Sequence, residues 1–118
     1  MEKNKKSKIV IPLIISFNQP IGSATLQIVG WPPEGFEEAG LKYILGYGDS
    51  KDDLSGYRQP LTHEEARGKR IIGKYLYIAI VKDDKTLYEK LFDTEQERPL
   101  EATGSVHVSR KINITLEL

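Results

Sequence analysis

The stretch from Lys3 to Pro20, KNKKSKIVIPLIISFNQP, decides how this chain is read. Lysines at 3, 5, 6 and 8 lead into a mostly apolar run, Ile9 to Phe17. A basic start and an apolar run imitate a secretory signal peptide. Pro12 interrupts the run early, however, and Asn18, Gln19 and Pro20 form a polar turn rather than an approach to a cleavage site. The run is also too short to cross a bilayer as a helix, which takes about 20 apolar residues. Read as a strand, it places Ile9, Ile11, Leu13, Ile15 and Phe17 on one face. Proline offers no N–H to a ladder, so an edge strand is expected here. Residues 1–8 then read as a solvated basic arm that discourages edge-to-edge pairing.

The rest of the chain bears out a β reading of this kind. In SVHVSRKINITLEL (Ser105 to Leu118) the even positions are Val, Val, Arg, Ile, Ile, Leu, Leu and the odd positions are polar. Such alternation describes a half-buried strand, with Arg110 as its one break. KYLYIAIV (Lys74 to Val81) and TLYEKLFD (Thr86 to Asp93) flank the turn KDDK and predict a hairpin. The first arm is apolar on both faces, as in a central strand, and the second mixes apolar and charged residues. ATLQIVGW (Ala24 to Trp31) and LKYILGYG (Leu41 to Gly48) are further strands. Helix is limited to single turns. Thr62 followed by Glu65 has capping-box spacing, Gly68 stops that turn, and GFEEAG is a second candidate.

At 118 residues the chain is expected to form one domain, residues 9–118, behind the basic arm. It has no cysteine, which excludes disulfides, thiolate catalysis and cysteine-based zinc sites. Lysine and arginine number 17, as do aspartate and glutamate, so no global charge draws the molecule to nucleic acid or an anionic surface. No transmembrane segment is expected.

The candidate sites are few. DSKDD (Asp49 to Asp53) fails the calcium-loop pattern, with Lys51, Leu54 and Pro60 where an oxygen donor, glycine and glutamate are needed. THEE places His63 beside Glu64 and Glu65, but Arg67 stands where a zinc-protease helix needs its second histidine. The only other histidine is His107. Asn113-Ile114-Thr115 is a glycosylation sequon that matters only in a secreted eukaryotic protein. No serine-nucleophile or phosphate-loop motif is present. The most distinctive feature is WPPEGF (Trp31 to Phe36), where two prolines stiffen the chain after the only tryptophan; the default expectation is a tryptophan that closes one end of the core, and a rigid loop displaying Trp31 and Phe36 is the functional one. With Tyr57 in the long segment from Gly48 to Lys69, Trp31 and Phe36 make up the candidate binding surface.

The expected architecture is an all-β antiparallel sandwich, immunoglobulin-like or transthyretin-like, with about seven strands and one or two helical turns. A small β-barrel is the alternative. The expected function is a non-catalytic interaction or assembly module that binds a protein partner or itself through loops or a sheet edge, without cofactor or metal. A carbohydrate-binding module using the aromatic loop around Trp31 is the alternative. A small metal-assisted enzyme is the third reading. It would need Asp49, Asp52, Asp53, His63, Glu64 or Glu65 to converge.

Overall fold

The computed structural model describes residues 8–17, 24–94 and 108–117. They form two four-stranded antiparallel sheets. One has the order β5-β2-β1-β8, from β1 (Lys8–Phe17), β2 (Ala24–Ile28), β5 (Arg70–Gly73) and β8 (Val108–Glu117). The other has the order β4-β3-β6-β7, from β3 (Leu41–Ser50), β4 (Asp53–Ser55), β6 (Tyr75–Lys82) and β7 (Lys85–Asp93). One short helix, α1 (His63–Ala66), completes the set. The fold is an all-β sandwich, as expected, with eight described strands.

The core follows from the period-two patterns. Ile9, Ile11, Leu13 and Ile15 of β1 are buried, as are Leu41, Tyr43 and Leu45 of β3. They meet Leu26 and Ile28 of β2, Leu76, Ile78 and Ile80 of β6, and Phe92 of β7 between the sheets. Each such aliphatic side chain contributes about 1.5–3 kcal/mol when fully buried. On β8, Ile114 and Leu116 are buried, and Lys111, Asn113, Thr115 and Glu117 are exposed. Arg110, opposite Ile15, is the exposed exception on the inward set. The side chains of Phe17 and Val108, together with Val106, His107 and Leu118, lie outside what is described.

The expectation of an edge strand at Ile9 to Phe17 is overturned. β1 lies inside its sheet, paired with β8 along its full length and with β2 over residues 13–17. Proline is tolerated because the β2 pairing begins at Leu13↔Ile28, one residue after Pro12. On that flank the strand is locally an edge, and the missing N–H is not needed there. The opening run is therefore a strand of the core. The basic arm before Lys8 and the turn Asn18, Gln19, Pro20 lie outside the described residues.

Two further differences concern segments outside the expected strands. RIIG forms the short strand β5, and after Lys74 the chain enters β6 in the opposite sheet. At this crossing a Cβ on Gly73 would lie 3.3 Å from the backbone of Gly48, so the two sheets approach closely there. The segment from Gly48 to Lys69 is not irregular either. It folds back as β4 along β3, bridges Tyr43 through Leu61, and ends in α1. Asp83 takes a left-handed backbone (φ 55°) in the tight turn between β6 and β7, as aspartate there can.

Candidate functional site

The loop between β2 and β3 carries WPPEGF. Strand β2 is shorter than expected because Gly30, at φ 87°, turns the chain out of the sheet before Trp31. The loop then winds on itself. Phe36 N–H donates to the Pro33 carbonyl at 3.0 Å, Ala39 to Gly35 at 3.0 Å and Leu41 to Phe36 at 3.2 Å. These bonds satisfy backbone groups that would otherwise need water and hold the loop in one shape.

Phe36 fastens this loop from below. It is fully buried and stacks on Tyr43 of β3, with ring centroids 5.0 Å apart. His63 closes the cluster edge-on to Phe36 at 5.6 Å. The His63 backbone N–H donates to the Glu37 carboxylate at 3.3 Å, tying α1 to the loop. Helix α1 is itself held by the expected capping box. Glu65 N–H donates to the Thr62 hydroxyl at 3.2 Å, and Thr62 N–H donates to the Glu65 carboxylate at 2.9 Å. The Thr62 backbone N–H, with the Thr62 hydroxyl, Lys42 and Lys69 adding to it, holds the Glu65 carboxyl below its usual range.

Trp31 sits on top of this assembly with 77% of its surface exposed. The Arg67 guanidinium lies 4.6 Å from the indole centroid, a cation–π distance, and 3.9 Å from Glu64. Two residues on, Lys69 covers the ring of Tyr57 at 4.7 Å. A cleft of about 570 Å³ opens beside the loop, bounded by Glu34, Gly35, Glu38 and Ala39 and by Lys8, Ile9 and Lys82.

The three candidate binding residues thus fare differently. Trp31 is displayed and does not close the core as the default expectation has it, Tyr57 is half-buried against the core, and Phe36 is not on the surface at all. Arg67 and Glu37 were not singled out from the sequence. The spacing Glu64-x-x-Arg67 behind a capping box was the available signal for Arg67, but its contact with Trp31 depends on tertiary structure. The acidic candidates do not converge. Asp49, Asp52 and Asp53 lie at the far end of β3, at its hairpin with β4, whereas His63 packs against Tyr43 near the start of that strand. Among the described residues no three His, Asp or Glu side chains form a group able to hold a metal ion. No helix among them is long and apolar enough to cross a membrane.

The His63 ring is almost wholly buried, at 1% exposure. Its Nδ1 pairs with the Tyr43 hydroxyl, and Nε2 has no partner of hydrogen-bonding geometry. Burial pushes its pKa below the ordinary 6.5, opposed by the Gly30 backbone and Glu37. Burial, with Glu37 adding to it, pushes the Tyr43 phenol well up, so the phenol stays protonated. This arrangement is a packed aromatic footing, closed to solvent, beneath the loop.

No protein-family model matches the chain, and no curated protein or solved structure is significantly similar to it.

Proposed function

We propose that the protein is a non-catalytic interaction module that docks a protein partner through the 29–40 loop, with Trp31 as its anchor. One observation carries this reading. A large aromatic ring is 77% exposed on a loop that is otherwise fastened by backbone bonds and by the buried Phe36. Aromatic and arginine anchors dominate protein interfaces, and here Trp31 and Arg67 stand together. A rigid loop also loses little conformational entropy on binding.

The strand order supports an immunoglobulin-like reading of the sandwich. The orders β5-β2-β1 and β4-β3-β6-β7 correspond to strands E-B-A and C′-C-F-G of that topology, with β8 added beside the first strand. In that correspondence the Trp31 loop and the Asp83 turn are the B–C and F–G loops, which share one end of the sandwich and serve recognition in such domains. The cleft between the loop, the start of β1 and Lys82 lies at this end.

The test is affinity capture from the native source with the wild-type protein, Trp31→Phe and Trp31→Ala. A protein retained by the first two and lost with Trp31→Ala supports the reading. Capture that is indifferent to Trp31 overturns it. The bare indole also favours a second reading, stacking on a sugar ring. Because Trp31 is the only tryptophan, its fluorescence in a glycan titration separates the two.

A further inference from the structure

Among the described residues, strand β8 is the outermost of its sheet. It pairs with β1 over ten residues, and no strand covers its other side among the described residues. An open edge of that length is a template for another strand. Pro12 fixes which groups face it. Lacking an N–H, Pro12 turns its nitrogen to the flank where β2 has ended, so Ile11 and Leu13 exchange hydrogen bonds with Ile114 and Ile112. Along β8 the even-numbered residues then bond to β1. Lys111, Asn113, Thr115 and Glu117 present their backbone N–H and C=O groups to the open side, and their side chains are exposed.

We propose that this edge pairs, antiparallel and centred on Ile114, with the same edge of a second copy of the chain. In that register Lys111 faces Glu117 of the second copy, and Glu117 faces its Lys111. Asn113 faces Thr115, Ile112 faces Leu116, and Ile114 faces its own equivalent. Two opposite-charge pairs fall on the outer face and aliphatic pairs continue the inner one, which are the stabilising cross-strand combinations. Neighbouring registers lose this match. Centring on Asn113 sets Lys111 opposite Thr115, and centring on Thr115 sets Glu117 opposite Asn113. The β8 surface is distinct from the Trp31 loop, and the proposal does not depend on that loop's role.

Sedimentation equilibrium of the full chain over a roughly hundredfold concentration range tests the proposal. The wild type is expected to dimerise reversibly. Lys111→Glu and Glu117→Lys are each expected to dimerise about tenfold more weakly or worse, because attraction becomes repulsion at both symmetry-related pairs. An equimolar mixture of the two variants is expected to associate again, since each supplies the charge the other lacks. In the wild type, amide exchange at Lys111, Asn113, Thr115 and Glu117 should slow as concentration rises, and circular dichroism checks that the variants are folded. A wild type monomeric throughout overturns the proposal, as does a dimer unmoved by the substitutions or a mixture no tighter than its components. If a variant does not fold, the wild-type exchange pattern decides, and protection that does not rise at those amides is then the refuting result.

Discussion

The Tyr43 hydroxyl lies 3.2 Å from Nδ1 of His63, joining the start of β3 to the short helix that follows β4. The phenol stays protonated and can donate to a neutral imidazole, which leaves the ring proton on the buried Nε2. The folded state therefore favours neutral histidine. Glu37 and Glu64 pull toward the charged form and Arg67 against it, but burial outweighs them.

This pairing makes stability depend on pH in a defined direction. His63 titrates near 6.5 in the unfolded chain and lower in the fold. Between those values the unfolded state binds more protons, so acid favours unfolding. The His63 contribution is complete above 6.5 and is lost as pH falls below it. Denaturant midpoints should fall from about pH 7 to about pH 5 in the wild type, and that slope should largely disappear in His63→Gln. An unchanged slope in the variant would falsify the role assigned to His63. A separate loss from Glu65, whose pKa is lowered from 4.5, belongs at more acid pH in both proteins.

Phe36→Ala should cost about 3–5 kcal/mol, since the ring is fully buried and stacked on Tyr43. Urea denaturation measures this. The same substitution should broaden the Trp31 environment, read as a shorter-lived fluorescence anisotropy decay. A cost below about 1 kcal/mol would mean that the loop is not fastened by this ring.

Arg67→Ala removes the cation beside the indole. Because that contact is largely exposed, stability should change by no more than about 1 kcal/mol. Acrylamide quenching of Trp31 should increase. Quenching identical to the wild type would show that Arg67 does not shield the ring in solution.

Gly48→Ala should disrupt the β3–β4 hairpin. A Cβ at Gly48 would collide with the carbonyl oxygen of Asp53, a backbone atom that cannot swing aside like a side chain. A loss of about 1–3 kcal/mol is expected, with backbone amide shifts concentrated in residues 46–56. Gly46→Ala is the control, because its nearest neighbour is 3.4 Å away and it should be tolerated better.

The sandwich was legible in the sequence where burial alternates cleanly. Ile112, Ile114 and Leu116 against Lys111, Asn113 and Thr115 are unmistakable, and the two-faced apolar run of β6 marks a central strand. Strand β5 escaped notice because four residues, bounded by Lys69 and Gly73, carry too few periods to read. Pro12 misled for a different reason. The rule against proline in a sheet interior acts on single hydrogen-bonding positions, and the sequence does not show where a neighbouring strand stops. At the site, the stiff Trp31 loop was visible, but Phe36 and Trp31 looked alike in one dimension. Only the Tyr43 and His63 rings beneath the loop decide which of the two turns inward.

The pairing of β1 with β8 has a consequence for the order of folding. One sheet, β4-β3-β6-β7, is drawn entirely from residues 41–93, a middle segment whose widest pairing, Leu41↔Lys82, closes a far shorter loop than the other sheet requires. The other draws its longest ladder, of ten pairs, from the first and last described strands, about a hundred residues apart. Closing so long a loop costs entropy before any contact repays it. On a ribosome, the middle sheet can assemble while β1 waits with its apolar face uncovered on one flank. Of the described strands, β8 is the last to be synthesised and the one that completes this sheet, and the interval before its arrival is when these strands are most exposed to misassociation.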